Sequence, residues 1–238
     1  MTNSQQPKIC LITGASSGIG YAIARALAAE GHTVVITARR QERLQELDAA
    51  NVTMMAGDLT DPGFQEQVVN TVFDTYGRCD YLFNCAGSIE AGPVESIDID
   101  KMSAMIRLNV EATFRLTYLV LKRFKAQGSG HVINLSSVMG TKVRPTAGAY
   151  AATKFAMEAL SEALRMELAG TAINISCIEP GLVMTELHKD WAVHPRESMG
   201  IHDPLTVEDI VRTVKFIMEQ PSHVRIPKLM ILPGHHQI

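Results

Sequence analysis

Short apolar runs alternate with longer amphipathic stretches along the whole chain. The runs Lys8–Thr13, Thr33–Ala38, Asn51–Ala56, Asp80–Cys85, His131–Ser136, Ala172–Ile178 and Leu229–Leu232 read as strands. They are apolar without a polar alternate face, the pattern of a strand buried on both sides. Between them, Tyr21–Glu30, Gln41–Ala50, Pro62–Tyr76, Asp100–Gln127, Tyr150–Gly170 and a stretch from Val207 to Glu219 have helical character. Boundary signals support several of these. Asp61-Pro62 reads as an N-cap followed by proline at the first helical position. Gly31 reads as a helix stop, and Thr206-Val207-Glu208-Asp209 as a capping sequence. No repeat, low-complexity tract or linker interrupts the pattern, so residues 1–238 are expected to form a single domain.

Strand–helix alternation predicts an α/β fold: a doubly wound parallel sheet, Rossmann-like, with about seven strands and helices on both faces. Right-handed crossovers then bring Gly14–Gly20, Asp58, Asn84–Gly87, Ser137 and Pro180–Thr185 to one edge of the sheet.

The glycine-rich stretch Thr13-Gly14-Ala15-Ser16-Ser17-Gly18-Ile19-Gly20 lies between the first strand and the first helix. Glycines there let the backbone turn sharply and approach a ligand, and the helix start offers free N–H groups to a phosphate. A dinucleotide is the expected ligand, although the spacing departs from G-x-G-x-x-G. The second strand ends in Ala38-Arg39-Arg40 rather than in an acidic residue. Without a carboxylate to bind the ribose hydroxyls, and with two guanidiniums able to bind a 2′-phosphate, NADP is favoured over NAD. The small residues of Asn84-Cys85-Ala86-Gly87 suit close approach to a flat ring.

Tyr150 and Lys154 are four residues apart in a helix-forming run, hence one turn apart on one face. A phenol titrates near pH ~10, and an adjacent ammonium favours its ionised form. The pair suits proton exchange with a carbonyl/alcohol couple. Ser137, at a strand's carboxyl end, is placed to hydrogen-bond the same substrate oxygen. Asn109 lies mid-helix among apolar neighbours, which is unfavourable unless its side chain satisfies backbone carbonyls, holds a water, or does both. Leu182–Pro204 lacks periodicity; directly after a strand's carboxyl end, a substrate lid at about 182–204 is expected.

Bulk properties narrow the classes. A net charge of −3 leaves no footprint for nucleic acid or an anionic membrane. The polar start Met1–Lys8 resembles neither a signal peptide nor a span, so a cytoplasmic setting is expected. Cys10, Cys79, Cys85 and Cys177 lack metal-ligand spacing and read as reduced core thiols, with no metal expected.

Taken together, the glycine turn, Asn84-Cys85-Ala86-Gly87, Asn109, Ser137, Tyr150-x-x-x-Lys154 and Pro180-Gly181 with Thr185 resemble the compact branch of the short-chain dehydrogenase/reductase family. Within it, Ala38–Leu47 and Ile178–Val183 are most similar to NADP-dependent 3-hydroxy acid (serine-type) dehydrogenases and clavulanate-type aldehyde reductases. The resemblance implies an NADP(H)-dependent oxidoreductase acting on a small carbonyl or alcohol substrate. It implies that Gly14, Ser16, Ser17, Gly18, Ile19 and Gly20 hold the pyrophosphate and adenosine ribose. Arg39, with Arg40, would bind the 2′-phosphate, and Asp58 and Leu59 would flank the adenine. Asn84, Ala86 and Gly87 would line the nicotinamide ribose, and Pro180, Gly181, Val183 and Thr185 the carboxamide. Tyr150 would act as general acid, Lys154 would hold the ribose and poise the tyrosine, Ser137 would orient the substrate oxygen, and Asn109 would anchor a relay water. It also implies a homodimer or homotetramer built on the helices near Asp100–Gln127 and Tyr150–Gly170.

Cys85 replaces the usual second asparagine of the family's motif. The loop after Gly87 lacks the pattern associated with acyl-carrier-protein ketoreductases, and Ile226–Gly234 lacks their aspartate-glycine-glycine ending; both count against that activity, which is one alternative. A non-catalytic NADP sensor of the same fold is the other; such proteins are expected to lose Ser137, Tyr150 or Lys154, and all three are present. Arg144, His188, Trp191, His194 and Arg196 either face the substrate, suiting an anionic one, or are exposed loop residues.

Overall fold

In the computed structural model, which describes residues 6–189, 191 and 193–236, one sheet contains β1 (Ile9–Thr13), β2 (Thr33–Ala38), β3 (Val52–Ala56), β4 (Tyr81–Asn84), β5 (Ser129–Leu135), β6 (Ala172–Pro180) and β7 (Lys228–Ile231). All neighbours are parallel, in the order β3-β2-β1-β4-β5-β6-β7. The order reverses between β1 and β4, and the crevice beyond their carboxyl ends is where this topology binds ligands.

The helices are α1 (Gly18–Ala29), α2 (Gln41–Leu44), α3 (Pro62–Tyr76), α4 (Ile99–Ile106), α5 (Thr113–Gln127), α6 (Gly148–Glu167), α7 (Pro195–Ser198) and α8 (Val207–Met218). Adjacent strand residues enter opposite apolar layers. Leu11, Val35, Leu82 and Val132 join Val68 and Val72 of α3, Leu116 and Val120 of α5, and Leu164 of α6. Their chain neighbours Ile12, Ile36, Phe83 and Ile133 join Ile23 and Leu27 of α1 and Ile210 and Val214 of α8. Burial on both faces is why the strands carry no polar alternate. Each such side chain contributes roughly 1.5–3 kcal/mol on removal from water.

Local signals explain the best-matched elements. In α3, Asp61 accepts from the N–H of Gly63 at 2.8 Å, Pro62 opens the helix, and Gly77 closes it at a left-handed φ of 71°. Thr206 and Asp209 form a reciprocal capping box at α8.

Two helices depart from the expected pattern. The expected helix Gln41–Ala50 is only α2, followed by a 3₁₀ turn at Gln45–Leu47. Leu44 and Leu47 are both buried, and a three-residue turn puts such a pair on one side. The expected continuous helix Asp100–Gln127 contains a π-helical segment, Arg107–Ala112, between α4 and α5. Strand ends differ by up to two residues, with β5 beginning at Ser129 and β6 reaching Pro180.

The stretch 182–204 is irregular. It holds a single turn at Glu186–His188, then α7, and a parallel bridge joins Val183 to Leu205. Asp190 and Ala192 of the expected lid lie outside the described residues, as do Met1–Gln5 of the polar start. Among the described residues no helix is long and apolar enough to cross a membrane, and no cluster of His, Cys, Asp or Glu suits a metal. All four thiols are free.

Candidate active site

Thr13 ties the two strands at the switch point together. Its hydroxyl donates to the Phe83 carbonyl at 3.3 Å and accepts from the N–H groups of Cys85 and Ala86, both at 3.1 Å. The turn after β1 therefore sits directly against the turn after β4. Gly14 has φ +67°, and a Cβ there would lie 2.7 Å from the backbone of Ala86. Only glycine permits that approach. The N-terminus of α1 has no side-chain cap, so its first N–H groups and positive dipole end are open to an anion.

These turns bound a cleft of about 720 Å³. It is lined by Gly14, Ser16, Ser17, Gly18, Ile19, Gly20, Arg39, Arg40, Asp58, Leu59, Ala86 and Gly87. With Thr185, thirteen of the expected cofactor residues are thus gathered along one groove. At its far end Arg39 is exposed and makes no ion pair among the described residues. The N–H and hydroxyl of Thr60 hold the Asp58 carboxyl below the usual carboxylate range, with the Arg39 charge adding to the effect.

Arg40 is already engaged. Its guanidinium donates to Ser16 Oγ at 3.1 Å, Ser17 Oγ at 2.8 Å and Glu186 Oε2 at 3.0 Å. Sequence reasoning missed Glu186. It follows Thr185 in a stretch with no periodic signal, and its partners lie 143 and 146 positions away. Thr13 was overlooked as well, although it opens the glycine run.

A second cavity, about 260 Å³, adjoins the cleft, and both share Ile19, Ile89, Thr185 and Leu187. Ser137, Tyr150, Pro180, Gly181, Val183 and Thr185 line it. Ser137 follows β5, is 9% exposed, and caps a short turn by accepting from the N–H of Met139 at 3.1 Å. That contact occupies an oxygen lone pair and leaves the hydroxyl hydrogen free to turn toward the cavity. Tyr150 reaches the same space from the first turn of α6, with its residue 8% exposed. Lys154 lines neither space. It is buried beneath Tyr150, with Nζ 5.7 Å from the ring centroid, and donates to the Leu135 carbonyl at 2.8 Å.

Asn109 also lies behind the cavities. Its Oδ1 accepts from Ser88 N at 2.9 Å, and its Nδ2 donates to Ser88 O at 2.9 Å and Thr153 Oγ1 at 3.3 Å. The π-helical segment carries this residue, as such segments often do at functional sites. Asn109 thus pins the turn after Gly87 to α6, which explains a polar residue mid-helix.

Asn84 departs from expectation. Its side chain is buried and donates to Thr117 Oγ1 at 2.9 Å and Asn134 Oδ1 at 2.8 Å, so it lines neither space. Strand parity is the reason: Asn84 shares the face of Leu82, which packs toward α5.

Arg144, His188, Trp191 and His236 line the smaller cavity, whereas His194 and Arg196 do not. Burial, with the His194 and Arg144 charges, pushes His188 down to about 4. His194 instead stacks edgewise on His188, ring centroids 5.7 Å apart.

A family model described as short chain dehydrogenase matches residues 8–195. An uncharacterized oxidoreductase of Staphylococcus aureus (strain MW2) is 32% identical over 230 residues, covering 95% of this chain and 97% of that one. A structure described as the closed form of serine dehydrogenase complexed with NADP+ superposes with a TM-score of 0.90 at 31% identity, covering 97% of this chain and 96% of the other. An alcohol dehydrogenase from the archaeon Thermococcus sibiricus, complexed with 5-hydroxy-NADP, gives 0.87 at 26% identity, covering 98% and 99%.

Proposed function

This chain belongs to the short-chain dehydrogenase/reductase family of oxidoreductases, and from that premise we propose that it transfers hydride between NADP(H) and a small carbonyl or alcohol substrate. The observation that carries the reading is the shared cavity of Ser137 and Tyr150, opening at Ile19 and Thr185 onto the glycine-lined cleft. An aldehyde, a ketone or a 3-hydroxy/3-oxo acid suits a space of about 260 Å³.

The residues present fit NADP(H). The uncapped α1 N-terminus and the Gly14–Gly20 turn suit a pyrophosphate, and Arg39, exposed and unpaired among the described residues, suits a 2′-phosphate. The NADP-bound serine and alcohol dehydrogenases support the same choice. Asp58 and Leu59 are the residues available to flank the adenine. Ala86 and Gly87 are available on the ribose side, and Pro180–Thr185 at the carboxamide.

When bound, the nicotinamide supplies or accepts the hydride. Tyr150 gives its phenolic proton to the substrate oxygen in reduction and takes it back in oxidation. Ser137 donates its hydroxyl hydrogen to the same oxygen, because the Met139 N–H already occupies its acceptor side. Lys154, fixed on the Leu135 carbonyl, supplies positive charge beside the phenol and is the candidate holder of the nicotinamide ribose. Asn109 positions the turn at Ser88 and is the candidate holder of a relay water.

The segment 182–204 acts as the substrate lid in this reading, since Leu182, Leu187, His188 and Trp191 wall the cavity. The assembly is a homodimer or homotetramer, supported by Tyr118 and Phe155, which are 47% and 42% exposed on α5 and α6. Light scattering on the purified protein measures that state directly.

The activity is tested by mixing protein, NADPH and a panel of aldehydes, ketones and 3-oxo acids while following absorbance. Consumption with at least one class is expected. Inactivity across the panel despite NADPH binding would favour a cofactor-sensing role.

A further inference from the structure

Behind the smaller cavity, three elements meet in a charged layer that the hydride-transfer reading does not use. Glu179, the penultimate residue of β6, is fully buried, and its Oε1 lies 2.7 Å from Lys228 Nζ. The same ammonium, on the first residue of β7, stands 3.0 Å from Glu158 Oε2. Glu158 follows Lys154 by four residues on α6, so Tyr150, Lys154 and Glu158 occupy successive turns on one side of the helix. The Glu158 side chain is 10% exposed, whereas that of Lys228 is 47% exposed.

This layer touches the cavity wall. Ser136, beside Ser137, lines the cavity, and its hydroxyl oxygen is buried without a hydrogen-bond partner among the described residues. A Cβ on Gly140 would lie 2.7 Å from that oxygen and 3.2 Å from Glu158 Oε1. Glycine there lets both side chains pack against one turn.

Given hydride transfer at the cavity of Ser137 and Tyr150, we propose that Glu179 is a positioning residue for that reaction, fixing the end of β6 to the catalytic side of α6 through the ammonium of Lys228. Pro180, the next residue, opens the stretch available to the nicotinamide carboxamide, and Glu158 lies one turn beyond Lys154. The layer therefore joins the element that receives the cofactor to the helix that carries the proton donor.

Two carboxylates meet this closely in a dry interior only with a cation between them, and Lys228 supplies it. Burial raises the Glu179 carboxyl above its ordinary range; the Lys228 ammonium opposes that shift and the Glu158 charge adds to it. Such a group contributes little to stability, since apolar replacement of buried ion pairs is often neutral or stabilising. What the pair does fix is distance. Hydride transfer is sensitive to distance, because a misplacement of about 1 Å lowers a rate by up to about 10²-fold.

The test uses the full chain and the variants Glu179→Leu, Glu179→Gln and Lys228→Met, saturated with NADPH and given a carbonyl substrate that the wild type accepts. Single turnovers in stopped flow yield a first-order rate of NADPH oxidation that does not depend on the folded fraction. Thermal unfolding checks that each variant is folded at the assay temperature. In Glu179→Leu and Lys228→Met this rate is expected to fall by about 10–100-fold, with the half-saturating substrate concentration close to wild type. Glu179→Gln keeps an acceptor for Lys228 and is expected to recover most of the rate. If Glu179→Leu does not fold, Lys228→Met, altered at the half-exposed end of the layer, decides alone. A wild-type rate in Lys228→Met, or a loss in Glu179→Gln as large as in Glu179→Leu, overturns the positioning role and leaves the hydride-transfer reading standing. A wild type that oxidises NADPH with no carbonyl of the panel removes both.

Discussion

The Lys154 ammonium stands 5.7 Å from the centre of the Tyr150 ring and is anchored 2.8 Å from the carbonyl of Leu135. Helical spacing puts the two side chains on one face. The Leu135 contact does more: it fixes that face to the end of β5, two residues before Ser137. Tyr150 and Ser137 are thereby set against one small cavity, with Lys154 buried beneath the phenol.

If Tyr150 moves the proton and Ser137 orients the oxygen, Tyr150→Phe should reduce kcat/KM by ~10²–10⁴. Ser137→Ala should reduce it by a comparable or smaller factor, with NADPH affinity kept in both variants. Steady-state kinetics with any accepted substrate checks this. Turnover near wild type in Tyr150→Phe removes the phenol from the mechanism.

Arg39 makes no ion pair among the described residues, whereas Arg40 is committed to Ser16, Ser17 and Glu186. Arg39→Ala should weaken NADPH by about tenfold or more, the scale of a charge-assisted hydrogen bond, and spare NADH. Equal losses in titrations with both cofactors would contradict the assignment.

Gly14 and Gly31 both have left-handed φ, +67° and +83°, but only at Gly14 would a Cβ strike backbone, 2.7 Å from Ala86. Gly31→Ala should cost about 1 kcal/mol of stability. Gly14→Ala should cost more, because the turns after β1 and β4 must separate, and it should weaken cofactor binding too. Thermal unfolding with and without NADP distinguishes them; identical shifts would mean the contact is not tight.

His131 sets a pH dependence. Ser176 donates its hydroxyl to the Ile226 carbonyl at 2.5 Å, so it accepts from His131 Nε2 at 2.9 Å, which assigns a neutral ring protonated at Nε2. Burial, with the Arg225 charge, pushes this histidine down to about 4 from 6.5. The unfolded chain therefore takes up the proton first. Stability from this group is complete above pH 6.5 and falls as pH drops toward 4, by at most about 1.4 kcal/mol per pH unit. Urea unfolding across that range should be less acid-sensitive in His131→Asn. An unchanged slope would assign the loss to other groups.

What the sequence made legible follows from where the information lies. Asp61, Pro62 and Gly77 are local signals, and α3 begins and ends where they say. The two-sided burial of Leu82 and Phe83 is written in an unbroken apolar run, and the parallel sheet follows from it. The π segment at Arg107–Ala112 is different: one extra residue in a turn shifts the helical face without breaking the apolar pattern. Asn84 was legible in principle, since strand parity assigns it to the Leu82 side. The reach of Glu186 to Arg40 and Arg43 depends on how β6 and β2 end in space, and no local pattern encodes it.

The central claim is that substrate carbon and nicotinamide meet beside Tyr150 and Ser137. NADPH deuterated at both C4 positions, incubated with the carbonyl panel, tests it by mass spectrometry of the products. The account predicts an alcohol carrying one deuterium on the former carbonyl carbon, formed by the wild type and lost in Tyr150→Phe. Bound NADPH that transfers no deuterium to any carbonyl, or transfers it equally well without the phenol, would contradict it.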